Sequence, residues 1–301
     1  MLATLDVHDH PRLEAVVEKS AEFFARSNER VTYFIPSAIV LRHTGIRHIL
    51  REIRRVGHSV GCHGLTHDAS EDLGSLSPRA EYLVLRQATE ILEDTLGAPV
   101  RSFRAPGFRI SRRTQEILTE LGYKADLSVT PQRLCVLSSS PVEVGWMWAP
   151  RTPYAPRAGN PFRRGELDLL EIPTSTLGLP LTHGTIANVP DWLTQALLAG
   201  LSLEAMYFPR VLVPMFHPEA IVGEVEPWRP QFRWRDLFPS RVGGVRARFY
   251  FFLERDARTI HRRTMATIRQ LRDVAGLESL SVDDYLRRYV TEDGTVSSEF
   301  A

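Results

Sequence analysis

Short apolar runs alternate with longer amphipathic stretches along most of the chain, and this alternation limits the folds open to it more than any other feature. Residues 2–7, 31–35 and 211–216 are rich in the β-branched, aromatic and leucine side chains typical of strands. Residues 11–28 and 44–56 instead space their apolar side chains for one face of a helix. Strands that alternate with helices form a mostly parallel sheet, so the sequence predicts an α/β fold, either a barrel or a doubly wound sheet.

The composition is that of an ordinary globular protein without a polyanionic partner. The chain has 301 residues, of which 43% are hydrophobic and 24% charged, and its formal net charge is +1. A net charge so close to zero argues against a protein that coats nucleic acid, because that binding depends on neutralising phosphates. We therefore expect no nucleic-acid partner. The predicted organisation is a single domain over residues 1–301, with irregular insertions near 130–165 and 221–248.

The sequence predicts neither an exported nor a membrane-embedded protein. No apolar run is long enough to span a bilayer, and residues 1–5 lack the basic stretch that opens a signal peptide. The chain has two cysteines, Cys62 and Cys135, and two reduced buried thiols are favoured over a disulfide. These features predict a cytoplasmic protein, and they do not indicate an oligomeric state.

Reactive side chains stand where five of the predicted strands end. Catalytic and ligand-binding groups gather at the carboxyl ends of parallel strands, so we expect these side chains to meet in one site. They are Asp6, His8 and Asp9, then His63 and His67, and then Arg104, Asp126 and His217.

His63 and His67 have the spacing of a pair of metal ligands. Residues four apart on a helical turn present both imidazoles on one side, within reach of one ion, although two solvated loop histidines are the alternative. A hydrolytic metal needs a third protein ligand and an open position for water. Asp6 and His8 share one face of a strand, while Asp9 is within reach if the strand has already ended. Asp6 beside the metal would be suited to accept a proton from water.

Taken in order, these segments resemble the motifs of the NodB-homology polysaccharide deacetylases, carbohydrate esterase family 4. Residues 4–6 resemble the first motif, 57–67 the second, 103–109 the third, 123–128 the fourth and 213–218 the last. The second and third are the most specific. The resemblance implies a distorted (β/α) barrel whose active site lies at the carboxyl ends of the strands.

The resemblance also implies a role for each polar residue. Asp6 would be the general base, oriented by Arg104, and His217 would be the general acid, supported by Asp126. Pro106, Gly107 and Phe108 would form one wall of the substrate cleft and present a backbone N–H to the oxyanion.

The first motif departs from the family pattern. Val7 stands where most members have a second aspartate that binds the metal, and a branch of the family has this ligand one residue later, which is His8 here. Two ligand sets follow, because either His8 or Asp9 can join His63 and His67. Strand alternation favours His8. A defective site, and with it a non-catalytic metal- or glycan-binding protein, is the remaining alternative.

The function implied by the resemblance is metal-dependent hydrolysis. A metal-activated water would remove an N-acetyl or other N-acyl group from an amino sugar or glycoconjugate. Zn²⁺ is the expected cofactor, with Co²⁺, Ni²⁺ and Mn²⁺ as alternatives. A deformylase, or another hydrolase of linear or cyclic amides with the same fold, is the alternative reaction.

The two irregular segments are expected to shape the substrate site. Trp146 and Trp148 lie in the first segment, and aromatic faces of this kind stack on sugar rings. The expected partner is an amino-sugar-containing small molecule or glycan, and a cytoplasmic enzyme would meet it free, nucleotide-linked or lipid-linked. Residues 228–235, rich in Trp and Arg, are compatible with weak contact with an anionic membrane surface, although an ordinary loop packed on the barrel is favoured.

Overall fold

The computed structural model describes residues 1–132, 144–208, 211–225, 256–274 and 277–290. Its strands are β1 (Thr4–Asp6), β2 (Thr32–Ile35), β3 (Ser59–Cys62), β4 (Ser102–Phe103), β5 (Ala125–Asp126), β6 (Pro156–Arg157), β7 (Asn160–Arg164), β8 (Leu170–Glu171), β9 (Thr176–Leu177), β10 (Leu179–Pro180) and β11 (Met215–Phe216). Its helices are α1 (Leu13–Arg26), α2 (Ile39–Arg42), α3 (Ile46–Arg55), α4 (Pro78–Leu96), α5 (Thr114–Glu120), α6 (His183–Asn188), α7 (Asp191–Tyr207), α8 (Pro218–Val222), α9 (Ala257–Arg272) and α10 (Val282–Tyr289).

One sheet of seven strands organises the fold, in the order β11-β1-β2-β3-β4-β5-β8. Each of its pairings is parallel, so all seven carboxyl ends lie at the same edge. All four residues of β2 are buried, as expected for a strand covered on both faces. The sheet curls into half of a barrel, which confirms the predicted α/β barrel class.

A short connection bridges part of the gap between the two edge strands, β8 and β11. The backbone N–H of Ser175 donates to the carbonyl of Val213 (3.1 Å), and the Ser175 hydroxyl accepts from the N–H of Val213 (2.8 Å). Further along, the N–H of Met215 donates to the carbonyl of Leu181 (3.0 Å). The barrel is therefore distorted because the chain between Ser175 and Leu181 takes the place of a regular closing strand.

Local sequence signals fix the ends of the longest helix, α4. The Ser77 side chain accepts a hydrogen bond from the N–H of Ala80 (3.3 Å), and Pro78 occupies the first turn, where its missing N–H costs nothing. Gly97 ends the helix with a φ of +63°, a conformation that glycine adopts without strain. Leu85 and Leu92 are buried on the inner face of this helix, against the sheet.

The first segment expected to be irregular contains a hairpin. Strands β6 and β7 pair antiparallel, and Gly159 makes the connecting turn with a φ of +70°. In the second segment, residues 226–255 lie outside the described residues, and so does the aromatic and basic stretch 228–235.

Cys62 is a buried free thiol, whereas Cys135 falls outside the described residues. Across the described ranges, no helix combines the length and the apolar character needed to cross a bilayer.

Candidate active site

The parallel sheet places polar residues from five strand ends at one edge. Asp6 is the last residue of β1, and Asp126 is the last residue of β5. His63, Arg104 and His217 each follow directly after a strand, namely β3, β4 and β11. Because these strands are neighbours in the sheet, residues far apart in sequence reach the same edge.

Three histidines present ring nitrogens to one another at this edge. One nitrogen from each of His8, His63 and His67 lies within 4.8 Å of the other two. The ring centroids of His8 and His67 are 4.6 Å apart, and those of His63 and His67 are 5.0 Å apart. The sequence-predicted pair therefore meets, and His8 lies beside it.

A loop, not the helical turn expected from the spacing, holds His63 and His67 together. Gly64 and His67 both have left-handed backbones, with φ values of +75° and +66°. The Glu71 carboxylate accepts hydrogen bonds from the N–H groups of Leu65 and Thr66, from the Thr66 hydroxyl (2.7 Å) and from the His67 N–H (3.0 Å). This carboxylate therefore compensates for a strained backbone, and it positions the second histidine.

The state of the histidines suits metal binding. Burial is the main cause that lowers the pKa of His63 to about 3 and that of His67 to about 4, so both rings are neutral at physiological pH. The Nδ1–H of His63 donates to the carbonyl of Arg104 (2.8 Å), which leaves its Nε2 as the lone-pair donor. A neutral imidazole is the form that binds zinc, and a hydrogen bond on the second nitrogen, as in His63, orients the ring, so this cluster of histidines fits a divalent transition metal.

Asp6 lies next to this cluster and is held by Arg104. The Nη1 of Arg104 donates to Oδ1 of Asp6 (2.8 Å) and to the Thr4 hydroxyl (2.8 Å), and its Nε donates to the carbonyl of Leu127 (3.1 Å). Burial would raise the pKa of Asp6, but the charge and hydrogen bond of Arg104, with help from His63, lower it overall. Asp6 is therefore ionised, with its Oδ2 4.0 Å from Nε2 of His63.

His217 lies on the other side of His8, together with two residues that the sequence analysis missed. The rings of His8 and His217 meet edge to face with centroids 4.4 Å apart, and His183 stacks on His217 at 4.2 Å. Oε1 of Glu219 lies 3.5 Å from Nδ1 of His217 and 3.7 Å from Nδ1 of His8. Burial would raise the pKa of Glu219, but its contacts with His217 and His8 lower that pKa well below its usual range.

Glu219 could have been predicted from the sequence, because it lies only two residues after His217. His183 had no such signal, because it arrives from the connection that bridges the two edge strands.

Two aspartates from the sequence prediction lie outside this constellation. The Asp9 carboxylate binds Arg42 (2.5 Å) and His43 (2.8 Å) instead of joining the histidine cluster. Asp126 accepts hydrogen bonds from Gln115 (3.0 Å) and from the Ser128 hydroxyl, and it lies beside Glu171.

Within the described residues, the expected support of His217 by Asp126 is not found, and Glu219 is the carboxylate next to that ring. Burial raises the pKa of both Asp126 and Glu171, so the two acids form a separate, buried pair.

The residues expected to bind substrate are a turn after β4 and two tryptophans that differ in their exposure to solvent. Pro106, Gly107 and Phe108 form a tight turn after β4, and the Phe108 ring lies over the guanidinium of Arg104, 5.6 Å from its centroid. Trp146 is only 2% exposed and packs against Phe162, so it belongs to the core and is not accessible for stacking on a sugar. Trp148 is 81% exposed and has a free surface.

Comparisons with known proteins point in one direction. Residues 2–125 match the sequence profile described as polysaccharide deacetylase. A peptidoglycan deacetylase from Helicobacter pylori is 31% identical over 130 residues, which are 42% of this chain and 42% of that protein, so the match spans about two fifths of the relative's length.

The fold comparison agrees with this match. The crystal structure of a polysaccharide deacetylase candidate from Mycobacterium smegmatis superposes with a TM-score of 0.56 at 18% identity. The superposition covers 95% of this chain and 89% of that one. At this identity the likeness supports the barrel fold alone.

Proposed function

We propose that this protein, whose residues 2–125 match the polysaccharide deacetylase profile, is a metal-dependent hydrolase that removes an N-acyl group from an amino sugar. One observation carries the proposal. Two neutral imidazoles, of which His63 is buried, and a third histidine lie against a carboxylate that a buried arginine keeps ionised. This combination provides both a metal-binding face and a proton acceptor.

His8, His63 and His67 would hold the ion through one ring nitrogen each. An ion bound there would polarise the acyl oxygen and make water a competent nucleophile near neutral pH, and imidazole donors suit Zn²⁺ better than Mg²⁺ or Ca²⁺. Asp9 is the weaker candidate for the third ligand, because its carboxylate is already engaged by Arg42 and His43.

The protein's own groups divide the proton transfers between them. Asp6 accepts a proton from the attacking water, and Arg104 holds its carboxylate in place and ionised. His217, on the opposite side of His8, donates a proton to the leaving amine. A base and an acid placed in this way each contribute roughly a hundredfold to ten-thousandfold to the rate.

We propose an amino sugar or glycan as the substrate class, with exposed Trp148 as the residue offered to a sugar ring. The acyl group and the carrier of the sugar are decided by a product screen. Purified protein with Zn²⁺ or Co²⁺ is incubated with N-acetyl and N-formyl sugars, both free and nucleotide-linked, and with peptidoglycan fragments, and mass spectrometry identifies the products. Release of acetate supports the proposal, whereas formate or ring opening identifies the alternative amide hydrolase.

Two variants test the assignment of the base. Asp6→Asn should abolish acyl release while the protein still binds metal. The matched control is Asp168→Asn, which removes an exposed carboxylate that pairs with Lys124 outside the cluster and should leave the rate close to wild type. If the wild-type protein contains no metal and gains no activity from added Zn²⁺ or Co²⁺, the proposed function is wrong.

A further inference from the structure

We infer that Glu219 is a positioning residue for both halves of the site, because one carboxylate oxygen orients the ring of His8 and the ring of His217 together. The inference rests on the proposed function, and it assigns Glu219 a role that the family motifs gave to Asp126.

The geometry at Glu219 is a shared contact. Its Oε1 lies 3.7 Å from Nδ1 of His8 and 3.5 Å from Nδ1 of His217, so both rings turn the same nitrogen toward one oxygen. A contact on Nδ1 leaves Nε2 of each ring available, for metal binding in His8 and for proton donation in His217. These separations are longer than those of normal hydrogen bonds, so both are charge contacts between the carboxylate and the rings.

The fold holds this carboxylate in place. Glu219 lies in the first turn of α8, which begins with Pro218 directly after His217. Ala220 and Ile221 are buried on the inner side of the same helix, and the Nδ1–H of His261 in α9 donates to the carbonyl of Ala220 (3.0 Å). The Glu219 side chain is only 16% exposed, so it projects from an anchored turn and not from a free loop.

The charge of the site explains why a carboxylate is useful here. Val7 stands where the family pattern has a metal-binding aspartate, and the histidine set supplies no negative charge of its own. Asp9 is engaged by Arg42 and does not replace it. A carboxylate that contacts the ring nitrogen not bound to the metal fixes the tautomer of the imidazole and increases its basicity. Glu219 therefore supplies, through the His8 ring, the negative charge that the first motif lacks without a second aspartate.

The same contact serves the second histidine. Nδ1 of His217 faces Glu219, so its Nε2 is the nitrogen available to donate a proton to the leaving group. Among the described residues, Asp126 makes its hydrogen bonds with Gln115 and Ser128 and makes none with His217. Glu219 therefore links metal binding and proton donation through one side chain.

The test compares the wild-type protein with Glu219→Ala, Glu219→Gln and the matched control Glu224→Gln. Glu224 is a nearby carboxylate that pairs with Arg12 and Lys19 outside the cluster. The Zn²⁺ affinity of each metal-free protein is measured by competition with a chromophoric chelator, and kcat and KM are measured at saturating Zn²⁺.

Glu219→Ala should weaken Zn²⁺ binding by about 10- to 100-fold. It should also lower kcat at saturating Zn²⁺, with KM little changed, because the orientation of His217 is lost as well. Glu219→Gln, which keeps the shape and one accepting oxygen, should recover part of both losses. Glu224→Gln should match the wild type.

The inference is overturned if Glu219→Ala keeps either the wild-type Zn²⁺ affinity or the wild-type kcat. It is also overturned if the wild-type protein binds two zinc ions and Glu219→Ala binds one, because Glu219 would then be a ligand of a second ion. A wild-type protein that binds no zinc and releases no acyl product contradicts the proposed function itself, which separates the two failures.

Discussion

The buried pair of Asp6 and Arg104 allows a quantitative test that needs no metal and no substrate. Arg104 is fully buried, and Asp6 is 3% exposed. The Arg104→Met variant leaves the Asp6 carboxylate buried without its cation, while the methionine chain can lie between the rings of Phe34 and Phe108 that now flank the guanidinium. Asp6→Asn creates the opposite imbalance, a buried guanidinium without its anion.

Removing one partner of a buried ion pair costs about 3–5 kcal/mol, so we expect each single variant to lose that much free energy of unfolding at pH 7. The double variant leaves neither charge behind. It should therefore be less destabilised than the sum of the two single variants, with a coupling energy of about 2–3 kcal/mol. The pKa of Asp6 is lowered in the folded chain, so this stabilisation is present above about pH 3.9 and is lost as the pH falls through the lower folded pKa.

Urea unfolding followed by circular dichroism, with a chelator present throughout, gives the four free energies of the cycle. Repeating the cycle between pH 7 and pH 3 measures the loss of coupling in acid. If the two substitutions add within about 0.5 kcal/mol at pH 7, Arg104 does not hold Asp6 ionised, and the assignment of the base loses its physical support.

Three further predictions follow from the described contacts. His63→Ala removes a proposed metal ligand, so it should lower the Zn²⁺ affinity by more than the roughly 10- to 100-fold typical for loss of a group that only hydrogen-bonds a ligand. His43→Ala, outside the cluster, should keep the wild-type affinity. Equal zinc content of the two purified variants by atomic absorption would contradict this prediction. Burial raises the pKa of Glu171, so its protonated form stabilises the folded chain fully below the ordinary Glu pKa of about 4.3, and this stabilisation is lost as the pH rises through the folded pKa. In Glu171→Gln, the free energy of unfolding should therefore fall less steeply with rising pH than in the wild type. Urea unfolding at a series of pH values measures this slope, and an unchanged slope would refute the prediction. Trp146→Ala should cost about 3–5 kcal/mol of stability and Trp148→Ala less than about 0.5 kcal/mol, and thermal unfolding that ranks them the other way would show that the burial of the two indoles is misassigned.

The parallel sheet and its strand ends were predictable because their signals are local. The β-branched and aromatic run at residues 32–35 indicates a buried strand, and polar residues directly after such strands must meet where parallel strands end. The hairpin of β6 and β7 was not predictable in the same way. Its second strand carries two exposed arginines, and its pairing depends on the turn at Gly159 and not on an apolar pattern.

The site residues that directly follow strands were predicted from the sequence. Those whose position depends on tertiary contacts were predicted less well. His63 and His67 do meet, but through a loop with left-handed residues, which sequence spacing alone does not distinguish from a helical turn. His183 stands at the start of α6, directly after the connection that bridges β8 and β11, and no local pattern predicts that this connection passes the site. Glu219 and Asp126 are both acids near a strand end, and only the packed structure shows which one faces His217.

The Glu71 carboxylate has a consequence for how quickly the loop could accept an ion. It gathers backbone N–H groups from three successive residues, Leu65 to His67, the kind of concave nest that elsewhere receives a free anion. Because this internal anion already fills the nest, the backbone that carries His67 is held in place without a cation. Metal uptake should then proceed without a conformational step in the loop, and its rate should depend linearly on metal concentration, as in simple one-step capture.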